Sequence, residues 1–397
     1  MTISYWQAKN KPLGHHRQGK PSGEYNIAVV GGGLIGIATA YHLKSLGCDR
    51  LVVLEKEYVG YGASGRNAGF LLSGMAEPYS RLVVGLGPEG ARALMTATLE
   101  NHDLISEAVK GEKINCDYRK AGSYHLAVSD VEMRELSESV ELLHKDGFCG
   151  ELIDSKTISE KLGLGNYAGG YFCPADGCLD PYAFVNGLAR GLDIIEGFEV
   201  KSIRKTAGRI EMVGNEYAVK AEMGVLATNA YSPLLDGFFK EMIFPVRGQM
   251  LAAGSRTGGK LGDATYYANF GYDYFRQSSD HIFLMGGLRD KFIETEIGFG
   301  DQTNPALQGG LENYLRTNIR LDRFDVLHRW SGVMANTIDG LPLVGTLPHN
   351  SSVIAAVGCN GHGFGWGTVI ARDVARAIMK NEMSELLKRF SIKRFAG

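Results

Sequence analysis

Residues 27–36 read Ile-Ala-Val-Val-Gly-Gly-Gly-Leu-Ile-Gly, an apolar run that enters Gly31-x-Gly33-x-x-Gly36. Glycines at this spacing after a strand can hold a dinucleotide pyrophosphate. Gly31 lets the chain turn sharply, Gly33 leaves no side chain in the way of the phosphates, and Gly36 lets the next helix lie close to the sheet. That helix, expected from about Leu34 to Leu46 with Leu34 and Ile35 in its first turn, offers backbone N–H groups and a positive dipole end. A second apolar run, Leu51–Leu54, ends on Glu55, 19 residues past Gly36. A carboxylate there accepts both hydroxyls of an adenosine ribose and repels a 2′-phosphate, which disfavours NADP. A glycine triplet after a strand is otherwise a tight turn. Strand, helix, second strand and terminal acid in register favour the dinucleotide site, without separating FAD from NAD.

Other residues carry weaker signals. Tyr272, Tyr274 and Arg276 alternate on one expected strand and so share a face, either an active-site wall or a core or interface surface. His362 sits in a glycine-rich loop, where it either meets a ligand or stabilises the turn. Arg66 is a loop cation with two readings, a ligand contact or a surface charge. Arg247 and Gln249 stand where a new sheet begins and read as hinge residues. Trp330 and Trp366 are candidates for an aromatic pocket, with buried packing the plainer reading for Trp330. Cys173 and Cys178 are too far apart for a zinc pair and no second pair completes a set; His15 and His16 are isolated. No metal is expected, and the six cysteines read as free thiols in a reducing compartment.

Composition sets the frame. The chain has 397 residues, 44% hydrophobic and 22% charged, which is ordinary for a globular protein and long enough for two domains. A net charge of −2 gives no support for nucleic-acid binding as the main task. No run of about 18 apolar residues is present for a spanning helix, and no secretory layout precedes the first strand, so the cytoplasm is the expected location. The stretch Lys9–Lys20, interrupted by Pro12 and Gly14, reads as a solvated N-terminal arm.

The elements that must position these residues follow from periodicity. After Glu55 comes the loop Tyr58–Phe70 with four glycines. Apolar residues at helical spacing predict helices over Pro88–Lys110 and Val131–Asp146, with another from Tyr182 through Leu192 and one over Leu307–Leu321. Alternation predicts strands over Tyr118–Val128, through Gly197–Val225, and from Phe244 to about Met285 as a separate sheet. The strand Val353–Val357 leads into Gly358-Cys-Asn-Gly-His-Gly-Phe-Gly-Trp-Gly367 and a last helix to about Lys380. The two ends thus fold together around the first sheet, and the β-rich middle builds the substrate side.

In this order and at these separations, several short motifs resemble the flavin-dependent D-amino-acid oxidase/glycine oxidase/sarcosine oxidase superfamily. They are the glycine fingerprint with Glu55, Gly60-Tyr-Gly-Ala-Ser-Gly-Arg-Asn-Ala-Gly69, Gly177-Cys-Leu-Asp-Pro181, Ala227-Thr-Asn-Ala230 and Pro245-Val-Arg-Gly-Gln249, then Trp330-Ser-Gly332, Asp339-Gly-Leu-Pro342 and Gly358–Gly363. The resemblance spans Ile27 to about Met379. Gly-Ala-Ser-Gly-Arg-Asn and the leading Ser4-Tyr-Trp6 look most like the γ-glutamylputrescine oxidoreductase branch.

The resemblance implies a mixed α/β, glycine oxidase-like fold: a Rossmann-like FAD-binding domain interleaved with a β-rich substrate domain. The expected partition is an arm over 1–24, an FAD-binding domain over 25–110, 150–242 and 325–397, and a substrate domain over 111–149 and 243–324. It implies FAD contacts from Lys56 beside Glu55, from Ala63, Ser64, Arg66, Asn67, Ala68 and Gly69, and from Val200, Thr228, Asn229 and Gly332. Gly361, His362, Gly363, Phe364 and Gly365 complete the set, where backbone N–H groups and the last helix's dipole favour negative charge on reduced flavin. Tyr272, Tyr274 and His362 are the candidate catalytic residues.

The implied reaction oxidises a C–N bond: an uncharged amine gives a hydride equivalent to flavin N5, and the imine hydrolyses. Two departures sharpen the substrate question. Met334 stands where glycine and D-amino-acid oxidases carry the Arg that pairs with substrate carboxylate. Trp330–Leu343 contains no Cys and Gly365 replaces a Lys of the sarcosine oxidases, so FAD is expected to be non-covalent. The oxygen-activating Lys of those enzymes is missing from Phe283–Gly287, which leaves O₂ and other electron acceptors open. Two rival readings remain: an amino-acid oxidase or dehydrogenase using Arg276 or Arg289, and a flavoprotein subunit that needs a partner. The oligomeric state is not legible.

Overall fold

The computed structural model describes residues 2–10, 23–206 and 208–395. His15, His16 and most of Lys9–Lys20 lie outside the described residues. Among those described, no helix is long and apolar enough to cross a membrane.

Two eight-stranded sheets organise the chain. In the first, Tyr25–Val30 lies at the centre, parallel to Leu51–Leu54 on one side and Ala218–Leu226 on the other. Asn350–Val357 extends the parallel run, Leu343–Leu347 closes that edge, and Ile194–Ile195 closes the other. Five of the six residues of the central strand are buried, because the sheet is covered on both faces and its strands read as near-continuous apolar runs. Helices Leu34–Ser45 and Gly363–Lys380 pack together on one face. The hairpin Ser202–Thr206/Arg209–Val213 extends from Ala218–Leu226.

The second sheet is mostly antiparallel. The long strands Ile243–Ser255 and Phe324–Thr337 pair along their whole length, with one register shift at Ala252/Ala253. Beyond them follow Ile282–Gly287, Asp273–Gln277, Thr265–Ala268, Ser123–Ala127, Gly169–Cys173 and Glu151–Asp154. A core of its own, which includes Leu251, Phe275, Met285 and Leu311, lies under the helix Pro305–Thr317.

Four features depart from the sequence expectations. Glu151–Asp154, Gly169–Cys173 and Phe324–Thr337 bond into the second sheet, so stretches assigned to the FAD-binding unit are strands of the other sheet. The helix expected from Pro88 begins at Tyr79 and runs to Gly111, broken at Gly87 (φ 72°) just before the proline, which opens the second half as an N-terminal residue. The helix at Pro181 stops at Leu188, ahead of the left-handed Gly191. Finally, the stretch read as an arm contains a helix, Tyr5–Lys9, whose Ser4/Gln7 capping box and buried Tyr5, Trp6 and Gln7 place it in the interior.

Candidate active site

One cavity of about 1290 Å³ runs from the C-terminal ends of the first sheet to the face of the second. It exceeds the ~300–1,000 Å³ typical of a pocket for one drug-sized ligand, so it has room for a large cofactor with a second molecule beside it.

At one end the wall is main chain. Val30 and Leu54 end their strands there and Ala227 follows the last residue of its own, where open α/β sheets collect ligands. Gly31 holds φ 112°, and a Cβ on it would lie 2.6 Å from Ala227 O. A Cβ on Gly36 would lie 1.9 Å from Gly31 O, so only glycine lets the helix start this close to the turn. Gly36 therefore shapes the cradle without lining it, whereas Gly31, Gly33, Leu34 and Ile35 face the cavity. Gly33 supplies no side-chain cap, and Leu34 N–H donates to Ser64 Oγ at 2.8 Å. Glu55 points in, its Oε2 accepting from Gly32 N–H at 2.6 Å and its Oε1 from Glu57 N–H at 2.8 Å. Burial pushes its carboxyl up to about 6, against those two hydrogen bonds. Each oxygen keeps a lone pair for a ribose hydroxyl. Lys56 is paired with Glu199 at 3.0 Å beside Val200.

Two further loops close on the same space. In the first, Ala63, Ser64, Asn67 and Ala68 line the cavity, and Asn67 braces the turn by accepting from Gly69 N–H at 2.7 Å. Gly69 itself faces Leu179 and not the cavity: a Cβ there would lie 2.1 Å from Leu179 O. Arg66 lines the cavity but is not a surface cation. It is buried, and donates to Tyr61 O, Thr2 Oγ1 and Ser331 O. In the second loop, Gly361, His362, Gly363, Phe364 and Gly365 all face in, and Asn229 ties the loop's start by accepting from Gly358 and Cys359 N–H groups. Thr228 and Gly332 complete this wall. Burial pushes His362 down to about 4, so the ring is neutral near pH 7, and its Nε2 has no hydrogen-bond partner among the described residues. A side chain at 365 would start 2.5 Å from the His362 ring, so the histidine occupies the space a lysine there would need.

The fingerprint, Glu55 and these glycine loops are one surface. A family profile described as DAO, FAD dependent oxidoreductase, matches residues 26–377. The chain belongs to this family. The proteins it resembles include the probable oxidoreductase OrdL of Haemophilus influenzae, 28% identical over 90% of this chain and 83% of that protein. They also include the γ-glutamylputrescine oxidoreductase of Escherichia coli, 27% identical over 85% and 80%. Glycine oxidase from Geobacillus kaustophilus shares the fold with a TM-score of 0.79 at 23% identity, covering 94% of this chain and 99% of that one.

The far end of this FAD-family cavity is made of side chains. Tyr267, Phe270, Tyr272, Tyr274 and Phe70 surround it, with Met334 on the floor between Gly248 and Gly361. Tyr274 lies on its strand, but Tyr272 precedes the strand in a helical turn, and Arg276 shares the face of Tyr274 one step further along the strand. Arg276 is fully buried outside the cavity, donating to Leu179 O at 2.9 Å and stacked on Trp6. Of the two arginines considered for a substrate carboxylate, only Arg289 reaches the cavity, 5.5 Å over the Tyr272 ring and without a carboxylate partner among the described residues. Trp330 and Trp366 are buried outside it, and Arg247 with Gln249 form a buried network on Glu296.

Sequence reasoning missed Tyr267 and Phe270. The strand of Tyr267 pairs with Ser123–Ala127, over 130 residues earlier, and Phe270 follows it in the turn Asn269–Gly271, whose residues alone signalled a bend there. No cluster that could hold a metal occurs among the described residues, and the six cysteines are free thiols.

Proposed function

We propose that this protein oxidises a C–N bond of an amine with FAD held non-covalently in the cavity. The observation that carries the reading is the convergence of three glycine-rich loops, from distant parts of the chain, on one space that continues into an aromatic chamber. Gly31, Gly33, Glu55 and Ser64 hold the adenosine and pyrophosphate half; Gly332 and residues 361–365 back the ring end. When bound, FAD supplies the two-electron acceptor. The chain's own side chains bind, orient and desolvate the amine. Tyr272 and Tyr274 pack on it, and neutral His362 offers a nitrogen that accepts or donates one hydrogen bond at the chamber's inner wall.

Resemblance to a γ-glutamylputrescine oxidoreductase supports an amine donor, as does a thioether in place of a cation at 334. A second reading, an amino-acid substrate, is favoured by one observation: Arg289 is a half-buried guanidinium in the chamber with no carboxylate partner among the described residues. The test is anaerobic titration of the purified protein with amines and amino acids, read as bleaching of flavin absorbance, followed by admission of O₂ or artificial acceptors. Bleaching by amines is expected, and acid precipitation should leave the flavin in the supernatant. Protein without a flavin spectrum overturns the reading. Bleaching only by amino acids replaces it with the second, and bleaching by no small donor points to a catalytic partner subunit.

A further inference from the structure

The loop of residues 60–69 has two faces. Tyr61–Ser64 and Arg66–Ala68 line the cavity. The opposite face is gripped through its carbonyl oxygens by the segment Thr2–Gln7. Ser4 Oγ donates to Gly65 O at 2.6 Å, Trp6 Nε1 to Asn67 O at 2.8 Å, and Gln7 Nε2 to Gly60 O at 3.1 Å and Tyr61 O at 3.0 Å. Ser4 and Trp6 are completely buried, so these bonds form in a low-dielectric interior where an unpaired carbonyl is costly.

Thr2 joins a third segment. Its Oγ1 accepts from Arg66 at 3.1 Å and Ser331 N–H at 3.3 Å and donates to Asp301 O at 3.0 Å, while its N–H reaches Asp301 Oδ2 at 3.2 Å. Residues 299–302 form part of the cavity wall. One hydroxyl thus ties the flavin-facing loop, the strand of the substrate sheet and the rim of the cavity. Trp6 also carries the buried Arg276 guanidinium on its ring at 5.0 Å, and two of that group's nitrogens have no hydrogen-bond partner among the described residues. Such a desolvated cation gains most from an aromatic face.

We propose that Thr2, Ser4, Trp6 and Gln7 form a clasp of positioning residues that presses the 60–69 loop onto FAD and holds the 299–302 rim over the cavity. The inference rests on the reading that the cavity holds FAD. None of the four side chains need touch the cofactor. They act by removing the freedom of the loop that does, so binding no longer has to supply that ordering.

The test uses the full chain carrying Thr2→Val, Ser4→Ala and Trp6→Phe together. Its readouts are FAD affinity of the flavin-stripped protein, the Tm of that stripped protein, and the visible circular dichroism of bound flavin. Expected are about a tenfold or greater loss of FAD affinity, a weakened flavin dichroism, and a stripped-protein Tm within a few degrees of the parent. Unchanged affinity overturns the clasp, and so does a loss of affinity matched by a proportionate fall in stripped-protein Tm. If the triple variant does not fold, Trp6→Phe alone keeps a ring for Arg276 and should still weaken FAD a few-fold; unchanged affinity in it overturns the proposal. A parent protein that holds no flavin removes the cofactor reading and the clasp together, whereas a flavin-binding parent with unaffected variants removes the clasp alone.

Discussion

The two ends of the cavity are built from different material. At the proposed nucleotide end, the wall is mostly backbone and glycine: the helix start at Leu34, the turn at Gly31 and the loops at 60–69 and 358–365. At what we propose as the amine end, the wall is the side chains of Tyr267, Phe270, Tyr272, Tyr274, Arg289 and Met334. A main-chain cradle is fixed in shape because its neighbours are other main-chain atoms: a Cβ added to Gly36 would lie only 1.9 Å from Gly31 O. A side-chain chamber can be re-cut by substitution without moving the backbone. One end is therefore suited to a constant cofactor, and the other to a varying substrate.

The sharpest way to break this contrast is to add one methyl group where the nearest atom is main chain and one where it is a side chain. Gly36→Ala sets a Cβ against a carbonyl that cannot move without opening the turn, so flavin content should fall to near zero, with about 1–3 kcal/mol lost from the stripped protein by urea unfolding. Gly365→Ala meets only the His362 ring and one carbonyl at 3.1 Å, and the ring can swing. It should keep its flavin and lose mainly rate. Equal flavin contents in the two variants would remove the distinction.

Arg289→Leu probes the side-chain end alone. If a carboxylate-bearing amine is the donor, kcat/KM for it should fall about 100-fold, the worth of a charge-assisted bidentate contact, with FAD affinity unchanged. Simple amines should be oxidised as before. A loss of the same size for both kinds of donor would mean that Arg289 shapes the chamber and does not read the acid.

The same contrast explains what was legible in the sequence. The nucleotide end is encoded in short contiguous stretches: strand, Gly31–Gly36, helix and Glu55 all fall within about thirty residues and obey local steric rules. Gly36 was readable as a necessary glycine and Gly69 as an implied FAD contact, but neither as a residue outside the cavity wall, because which neighbour forbids a Cβ is a tertiary fact. The amine end defeats local reading. Tyr272 looked like a companion of Tyr274 by alternation, yet the helical turn at Asn269–Tyr272 breaks the period; Arg276 keeps the face of Tyr274 but meets Trp6, some 270 residues earlier, and not the cavity. Phe324–Thr337 carries Trp330-Ser-Gly332, a motif that resembled the flavin unit, while its backbone pairs with Ile243–Ser255. Burial of Ser4–Gln7 was hidden by the charged residues that follow.

At the nucleotide end, Glu55 is a charged side chain that points its carboxyl into the cavity. Its carboxyl is raised from 4.5 to about 6 by burial. An acid with a raised native pKa holds its proton more tightly folded than unfolded. Its contribution to stability is thus fully present below pH 4.5 and is lost as pH rises through 6, by about 2 kcal/mol. Glu55→Gln removes the charge and leaves an amide oxygen for Gly32 N–H. The flavin-stripped variant should match the parent near pH 4.5 and exceed it in urea stability above pH 6, by up to about 2 kcal/mol. Its FAD affinity at pH 7.5 should nonetheless be about tenfold weaker, because a neutral amide is a poorer acceptor for ribose hydroxyls than a carboxylate. Stability and affinity moving in opposite directions would identify Glu55 as a charge kept for the cofactor at the expense of the empty protein. If both fall together, the carboxylate is a brace for the Gly32 turn, and the nucleotide end is held by main chain alone.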